Sequence, residues 1–185
     1  MCCLRKICIA LLHRLKPYCL WLLHQAFLLS IIALPILPNL SASWPLFLGN
    51  AERNAVVPGS LPPPLELEWR YDAPAGIDST AIIVNNIVYF GEMDGRFHAV
   101  NLSTGVSKWI YEANLGVPAS GCVLDNTVFF GDEEGYFHAV DTETGTKRWI
   151  AETQAEILSS PNCLPNAVLV GSYDTNLYAF DPLSG

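Results

Sequence analysis

The sequence predicts an all-β fold, a partial β-propeller of four-stranded antiparallel blades that follows an N-terminal signal helix. Residues 87–110 and 127–150 lie forty positions apart and are identical at twelve of 24 aligned positions, and a third copy starts at residue 167. Within each copy, apolar residues recur with period two in short runs between turn residues. Repeats of this length are typical of stacked β units that cannot bury their apolar faces alone. The same spacing relates three glycines and three tryptophans: Gly91, Gly131 and Gly171, and Trp69, Trp109 and Trp149.

Residues 1–43 have the composition of an export signal. They contain four basic residues and no acidic residue, followed by the apolar run 20–37 and the small residues 41–43. This pattern predicts a signal peptide that is cut near Ala42 or Ser43. An uncleaved signal anchor is the alternative, because the apolar run is about long enough to span a bilayer. In both cases the remainder is expected outside the cytoplasm, in the periplasm or secreted.

The charge of the exported part limits its partners. Residues 44–185 hold all 18 acidic residues and six of the ten basic residues, which gives a formal net charge of −12. Such a surface repels nucleic acid and anionic membranes. We therefore expect no nucleic acid partner and no membrane contact beyond an N-terminal anchor, and the charge does not select among the remaining classes of partner.

The cysteines of the exported part are predicted to be unpaired. Only Cys122 and Cys163 follow the leader. When the repeats are aligned, Cys122 lies opposite Asn162 and Cys163 lies opposite Val123, so the two cysteines are offset by one residue. Side chains alternate between the two faces of a strand. The two thiols should then point to opposite sides and stay reduced and buried, although an exported protein can form disulfides.

Each unit is predicted to form short antiparallel strands joined by tight turns, which is the pattern of a propeller blade. Residues 44–64 precede them as an extended, Pro-rich lead-in. Residues 65–73, centred on Trp69, resemble an outer strand without inner strands. The blades are expected at residues 79–112, 119–152 and 158–185, the last incomplete. The predicted strands are residues 81–84, 87–90, 97–100 and 108–111, then 121–124, 127–130, 136–141 and 148–151, then 158–164, 167–170 and 176–181.

The turn before each tryptophan carries the most specific local motif. In the second unit it has the spacing A-x-D-x-x-T-G-x-x-x-W. The aspartate can accept hydrogen bonds from backbone N–H groups of the turn, and the glycine can take a positive φ. The tryptophan then returns on the outer strand, where its ring can pack against the neighbouring unit.

This motif resembles that of the PQQ-like (pyrroloquinoline-quinone-type) repeat β-propellers, the BamB-like or quinoprotein-like superfamily. There the same residue types form the tryptophan docking motif between blades. The first unit has Asn101 in place of the aspartate, and the third has Ser184 in place of the threonine. The segment from Trp44 to Asn50, with Arg53 after it, resembles the lead-in of exported bacterial propellers. The predicted docking residues are Trp69, Ala99, Asn101, Thr104, Gly105, Trp109, Ala139, Asp141, Thr144, Gly145, Trp149, Ala179, Asp181, Ser184 and Gly185.

The resemblance also implies that the chain is a fragment of a longer one. About two and three-quarter blades are present, whereas we expect a ring of seven or eight, within the range of four to eight that is typical of propellers. Propellers of this family usually close with an N-terminal strand in the last blade, so residues 65–71 are expected to complete a blade encoded beyond residue 185.

Other polar positions are interpreted as structural. His98, His138 and Tyr178 occupy equivalent positions that diverge in a propeller, which predicts packing rather than metal binding. The turns 92–94, 132–134 and 172–174 are expected to be solvated loops, because charged residues in a turn most often face water. A calcium site is not expected, since calcium needs more converging oxygens than these separate turns offer. No catalytic, cofactor-binding or metal-binding residue is predicted.

Two functions follow from the resemblance. The first is a non-catalytic, exported scaffold that binds or assembles proteins and needs no cofactor. The alternative is the N-terminal part of a PQQ-dependent quinoprotein dehydrogenase, with PQQ and calcium at the propeller centre. Such enzymes often carry an adjacent pair of cysteines against the quinone. The only adjacent pair here, Cys2 and Cys3, lies in the leader and cannot serve, which favours the scaffold.

Overall fold

The structure, a computed structural model, describes residues 43–50 and 64–185. The predicted signal helix, the cleavage position and Arg53 lie outside these residues. All regular secondary structure in the described part is β, arranged as two four-stranded sheets and one three-stranded sheet, all antiparallel. This confirms the predicted fold class of a partial propeller. No helix in the described ranges is long and apolar enough to cross a membrane.

Each sheet is one blade, and its strands follow one another in space as they do in sequence. Blade 1 consists of β1 (Ile82–Val84), β2 (Ile87–Gly91), β3 (Arg96–Asn101) and β4 (Ser107–Glu112). Blade 2 consists of β5 (Cys122–Leu124), β6 (Thr127–Gly131), β7 (Tyr136–Asp141) and β8 (Lys147–Glu152). Blade 3 consists of β9 (Asn162–Leu164), β10 (Ala167–Gly171) and β11 (Leu177–Phe180).

Two predicted strands differ from the structure. Residues 158–161 lie outside β9, because this stretch crosses between blades and Ser159 bonds the backbone of Gly171 through its hydroxyl. Residues 65–71 form no strand, since no described strand lies beside them to complete a ladder. Trp69 and Tyr71 nevertheless pack against the outer face of blade 1.

The turns use the backbone conformations that their sequences favour. Asn85 and Asn86, between β1 and β2, have φ values of 52° and 63°. Positive φ at both central residues matches the twist of a two-residue hairpin, and asparagine tolerates it better than most residues.

The blades pack face to face through apolar residues. Between blades 1 and 2 the rings of Phe97 and Phe130 stack with centroids 3.9 Å apart. Between blades 2 and 3 the fully buried residues include Phe129, Phe137 and Ile157. Each core therefore contains residues from two units, as the repeat period predicted.

The lead-in segment, residues 43–50, lies across the first strands of the blades. Trp44 forms an antiparallel bridge with Ile83 of β1. The carbonyl of Pro45 accepts a hydrogen bond from the N–H of Val123 in β5, at 3.1 Å. Leu46 packs against the core between blades 2 and 3. The segment is thus a folded part of the domain.

The prediction of unpaired cysteines was wrong. Cys122 of β5 and Cys163 of β9 form a disulfide, with their Cα atoms 6.0 Å apart. One face of each blade packs against the opposite face of the next blade. Because side chains alternate between the two faces of a strand, residues that meet across the interface occupy repeat positions that differ by one residue. The one-residue offset that argued against a bond is therefore what brings the two sulfurs together.

Candidate functional site: the interfaces between blades

The three tryptophans dock in the same way. The indole N–H of Trp109 donates to the carbonyl oxygen of Thr142 in blade 2, at 3.0 Å. Trp69 and Trp149 make the equivalent bonds, to Leu102 at 2.7 Å and to Pro182 at 3.1 Å. Each tryptophan therefore ties its own unit to the unit that follows.

The docking turn is held together by its acidic side chain. Asp141 Oδ1 accepts hydrogen bonds from the N–H groups of Glu143 and Thr144, both at 2.9 Å, and from the Thr144 hydroxyl at 3.1 Å. A bond from Arg148, followed by the backbone bond from Thr144, holds the pKa of Asp141 well below its usual range. Asn101 accepts the same three bonds through its amide oxygen, so the turn survives the loss of charge.

The glycine of the turn gives room to the ring. Gly145 has a φ of 70°, and a Cβ at this position would lie 2.7 Å from the ring of Trp109. Gly105 and Gly185 have the same relation to Trp69 and Trp149. Ala139 is fully buried and pairs in register with Trp149 across β7 and β8. A small residue and a glycine thus frame the rings of Trp109 and Trp149.

A second repeated arrangement is a buried hydrogen-bonded trio between blades 1 and 2. His138 Nε2 lies 2.9 Å from Asp132 Oδ2, and His138 Nδ1 lies 3.1 Å from the hydroxyl of Tyr111. Because the ring N–H donates to the carboxylate, Nδ1 is left to accept from the tyrosine. Asp132 also accepts from the N–H groups of Glu134 and Tyr136. Burial, and next the charge of Asp132, raises the pKa of Tyr111 above its ordinary value.

Blade 1 repeats this trio with a longer acid. His98 Nε2 lies 2.9 Å from Glu92 Oε2, and its Nδ1 lies 3.1 Å from the Tyr71 hydroxyl. In blade 3, Tyr178 occupies the histidine position and donates directly to Asp174 at 2.6 Å. This bond holds the pKa of Asp174 down at about 2.

The sequence interpretation of these turns as solvated loops was wrong for two acids. Glu92 and Asp132 are both 0% exposed. The signal that could have found them is the constant separation of six residues between the acid and the histidine in both units. Tyr71 and Tyr111, which complete the two trios, stand two residues after Trp69 and Trp109, whereas Ala151 stands two residues after Trp149.

This chemistry stabilises the fold. Every buried side-chain nitrogen or oxygen in the described ranges has a hydrogen-bond partner. Such satisfied networks fix the relative position of two sheets, because leaving any member unpaired in a low-dielectric interior is costly.

The first strands at the propeller axis do not fit a calcium–PQQ site. The described ranges contain no group of three histidine, cysteine or acidic residues that could hold a metal ion. Calcium requires six to eight oxygen ligands, whereas β1 and β5 present Ile82, Val84 and Leu124 beside the bonded Cys122. The lead-in segment also covers their edges. We therefore derive no reaction step through this cofactor.

Stacked antiparallel blades joined by docked tryptophans define part of a β-propeller. A family model described as "Outer membrane protein assembly factor BamB" matches residues 114–185. Together with the docking motif, this match supports the resemblance of the chain to the PQQ-like repeat propellers. A comparison with curated proteins gives no match.

Solved structures share the fold. BamB from Moraxella catarrhalis is 23% identical, with a TM-score of 0.58 over 64% of this chain and 37% of that protein. The quinohemoprotein alcohol dehydrogenase from Comamonas testosteroni is 20% identical, with a TM-score of 0.67 over 78% of this chain and 27% of that protein. The chain thus spans about a third of the length of these structures, and at this identity the likeness concerns the fold alone.

Proposed function

We propose that the chain belongs to a non-catalytic, exported PQQ-like repeat scaffold that binds another protein through its outer strands, β4 and β8. The family match to an assembly factor supports a role in protein–protein interaction.

The exposure of the outer strands carries this proposal. Ile110 of β4 and Ile150 of β8 hold the same position in blades 1 and 2, and they are 45% and 40% exposed. Apolar side chains that recur at exposed positions support an interaction surface.

Export is supported by the disulfide between Cys122 and Cys163. Such bonds persist in oxidising compartments and are rare in the cytosol. The basic and apolar composition of residues 1–43 points to the same route.

Photo-crosslinking tests the proposed surface. A benzoylphenylalanine in place of Ile150, which is 40% exposed on β8, should give adducts that contain another protein. The matched control is Leu183, which is 86% exposed and lies in a docking turn rather than on an outer strand. Equal labelling at both positions, or a cross-link at 150 only within the same polypeptide, would contradict the proposal.

The alternative, the N-terminal part of a PQQ-dependent dehydrogenase, has a separate test. Under our proposal, a fluorescence titration of the protein with PQQ in the presence of calcium shows no saturable binding. Tight stoichiometric binding would favour the alternative.

A further inference from the structure

We infer that the lead-in segment, residues 43–50, is a clasp that shields the Cys122–Cys163 disulfide from thiol reductants. The clasp and the disulfide together hold the first strands of the three blades, β1, β5 and β9, in place. This inference is independent of the protein-binding function proposed above, because it concerns the first strands of the blades and not their outer strands.

The attachments of the clasp follow the repeat. The carbonyl of Trp44 accepts from the N–H of Ile83 at 2.8 Å, and the carbonyl of Pro45 accepts from the N–H of Val123 at 3.1 Å. Ile83 and Val123 hold the same position in blades 1 and 2. The residue at this position in blade 3 is Cys163, and it is joined covalently to blade 2. The first strand of each blade is therefore held through the same repeat position, by a hydrogen bond to the clasp in blades 1 and 2 and by the disulfide in blade 3.

The clasp lies against the core that holds the disulfide. Leu46 packs against the apolar cluster that contains Cys122, which is 0% exposed, and Cys163, which is partly buried, packs against the same cluster. Phe47, the next residue, lines a cavity of about 430 Å³ together with Asn162. Leu46 is therefore the side chain of the clasp that can restrict access to the sulfurs.

A local turn fixes the shape of the clasp. The N–H of Gly49 donates to the carbonyl of Leu46 at 2.9 Å, and Leu48 and Gly49 have positive φ values of 64° and 86°. A Cβ on Gly49 would lie 2.8 Å from the ring of Trp44. Only glycine satisfies both the backbone and the ring, so this position controls whether the clasp can close.

Reduction of the disulfide requires access to a sulfur. A thiolate of a dithiol reductant attacks one sulfur along the S–S axis and releases the other as a cysteine thiolate, which leaves a mixed disulfide. The second thiol of the reductant then displaces the remaining cysteine and closes a cyclic disulfide. Two electrons pass to the protein, which ends with two thiols. With Leu46 in place, access to the sulfurs is restricted, so the first attack should be slower than after the clasp opens.

The rate of reduction by dithiothreitol tests this inference. Full-length protein is quenched by alkylation over time, and mass spectrometry of the peptides that contain Cys122 and Cys163 reports this bond separately from the leader cysteines. Gly49→Val should shorten the half-time at least tenfold. The control, Gly76→Val, places its Cβ 4.0 Å from the nearest atom, at Met93, and should leave the half-time unchanged.

Two further measurements keep the outcome decisive. Leu46→Ala opens the cover without disturbing the turn and should also accelerate reduction. Hydrogen exchange in β6 and β7 should remain slow in both variants, which shows that the blades stay folded. Equal half-times in Gly49→Val and the unmodified protein would overturn the inference, as would acceleration that occurs only together with loss of protection in β6 and β7.

Discussion

Gly131 and Gly171 are equivalent residues, and substitution by alanine should affect them very differently. A Cβ on Gly131 would lie 2.1 Å from Cγ2 and 2.4 Å from Cβ of Ile157, whose contact closes blade 3 onto blade 2. A Cβ on Gly171 would lie 3.5 Å from its nearest neighbour, Ser159 Oγ. Neither glycine has a positive φ, so steric contact alone distinguishes the two positions.

The expected cost follows from these distances. Carbon atoms in contact prefer about 3.5–4.0 Å, so Gly131→Ala must displace Ile157 by more than 1 Å within a close-packed interface. Overpacking typically costs about 1–3 kcal/mol, and we expect about 3 kcal/mol because the clash involves two atoms near the backbone. Gly171→Ala should change the free energy of unfolding by less than about 0.5 kcal/mol.

Hydrogen exchange measured by mass spectrometry reports this difference locally. A loss of about 3 kcal/mol corresponds to exchange about a hundredfold faster for the amides of β6 and β7, with β2 and β3 less affected. In an Ile157→Ala background, where Cγ2 is absent, Gly131→Ala should cost at least about 1 kcal/mol less. Equal exchange in Gly131→Ala and Gly171→Ala would refute the packing between blades 2 and 3.

Three further changes test the repeated contacts by urea unfolding. Trp109→Phe keeps a ring but leaves the Thr142 carbonyl without its indole donor, and should cost about 1–2 kcal/mol; an unchanged midpoint would argue against docking. Asp132→Ala removes the acceptor of His138 and of two backbone N–H groups, and should cost at least about 3 kcal/mol; Asp132→Glu, which supplies the acid found in blade 1, should cost less than half as much. Burial raises the pKa of Tyr89 from 10.0 to about 12. The Tyr89 hydroxyl therefore ionises at a lower pH in the unfolded chain than in the folded protein, so the free energy of unfolding should fall as the pH rises from about 10 to about 12. This fall should be smaller in Tyr89→Phe.

The repeat period made most of the fold predictable. Strands and turns recur with the sequence signals of β structure, and the docking motif that ends in Trp109 recurs forty residues later at Trp149. Local signals of this kind depend only on residues within one unit. They therefore predict the blade correctly without any knowledge of its neighbours.

Features that depend on two units at once were harder to predict. The burial of Asp132 follows from its bond to His138 and from the ring of Tyr111, which belongs to the preceding unit. The course of the lead-in segment depends on strand edges that lie far away in sequence, at Ile83 and Val123. The six-residue separation of acid and histidine is a local sign of the first contact. The lead-in segment carries no such sign, because its residue types are equally common in extended linkers.

The disulfide shows which rule was missing, and the rule can be tested in the preceding interface. Cys122 and Cys163 correspond to Ile82 and Val123 one unit earlier, and these two residues pack in the core between blades 1 and 2. If residues that are offset by one position in the aligned repeats meet across every interface, the double variant Ile82→Cys/Val123→Cys should form a second interblade disulfide.

The pair Ile83→Cys/Val123→Cys is the control, because Ile83 and Val123 occupy the same position in their repeats. Ile83 packs on the other side of blade 1, with Trp69 and Tyr71, so this pair should remain reduced. Mass spectrometry of unreduced peptides distinguishes the two results. A disulfide in the in-step pair, or none in the offset pair, would show that the bond between Cys122 and Cys163 depends on a local feature of blade 3 and not on the geometry shared by all blades.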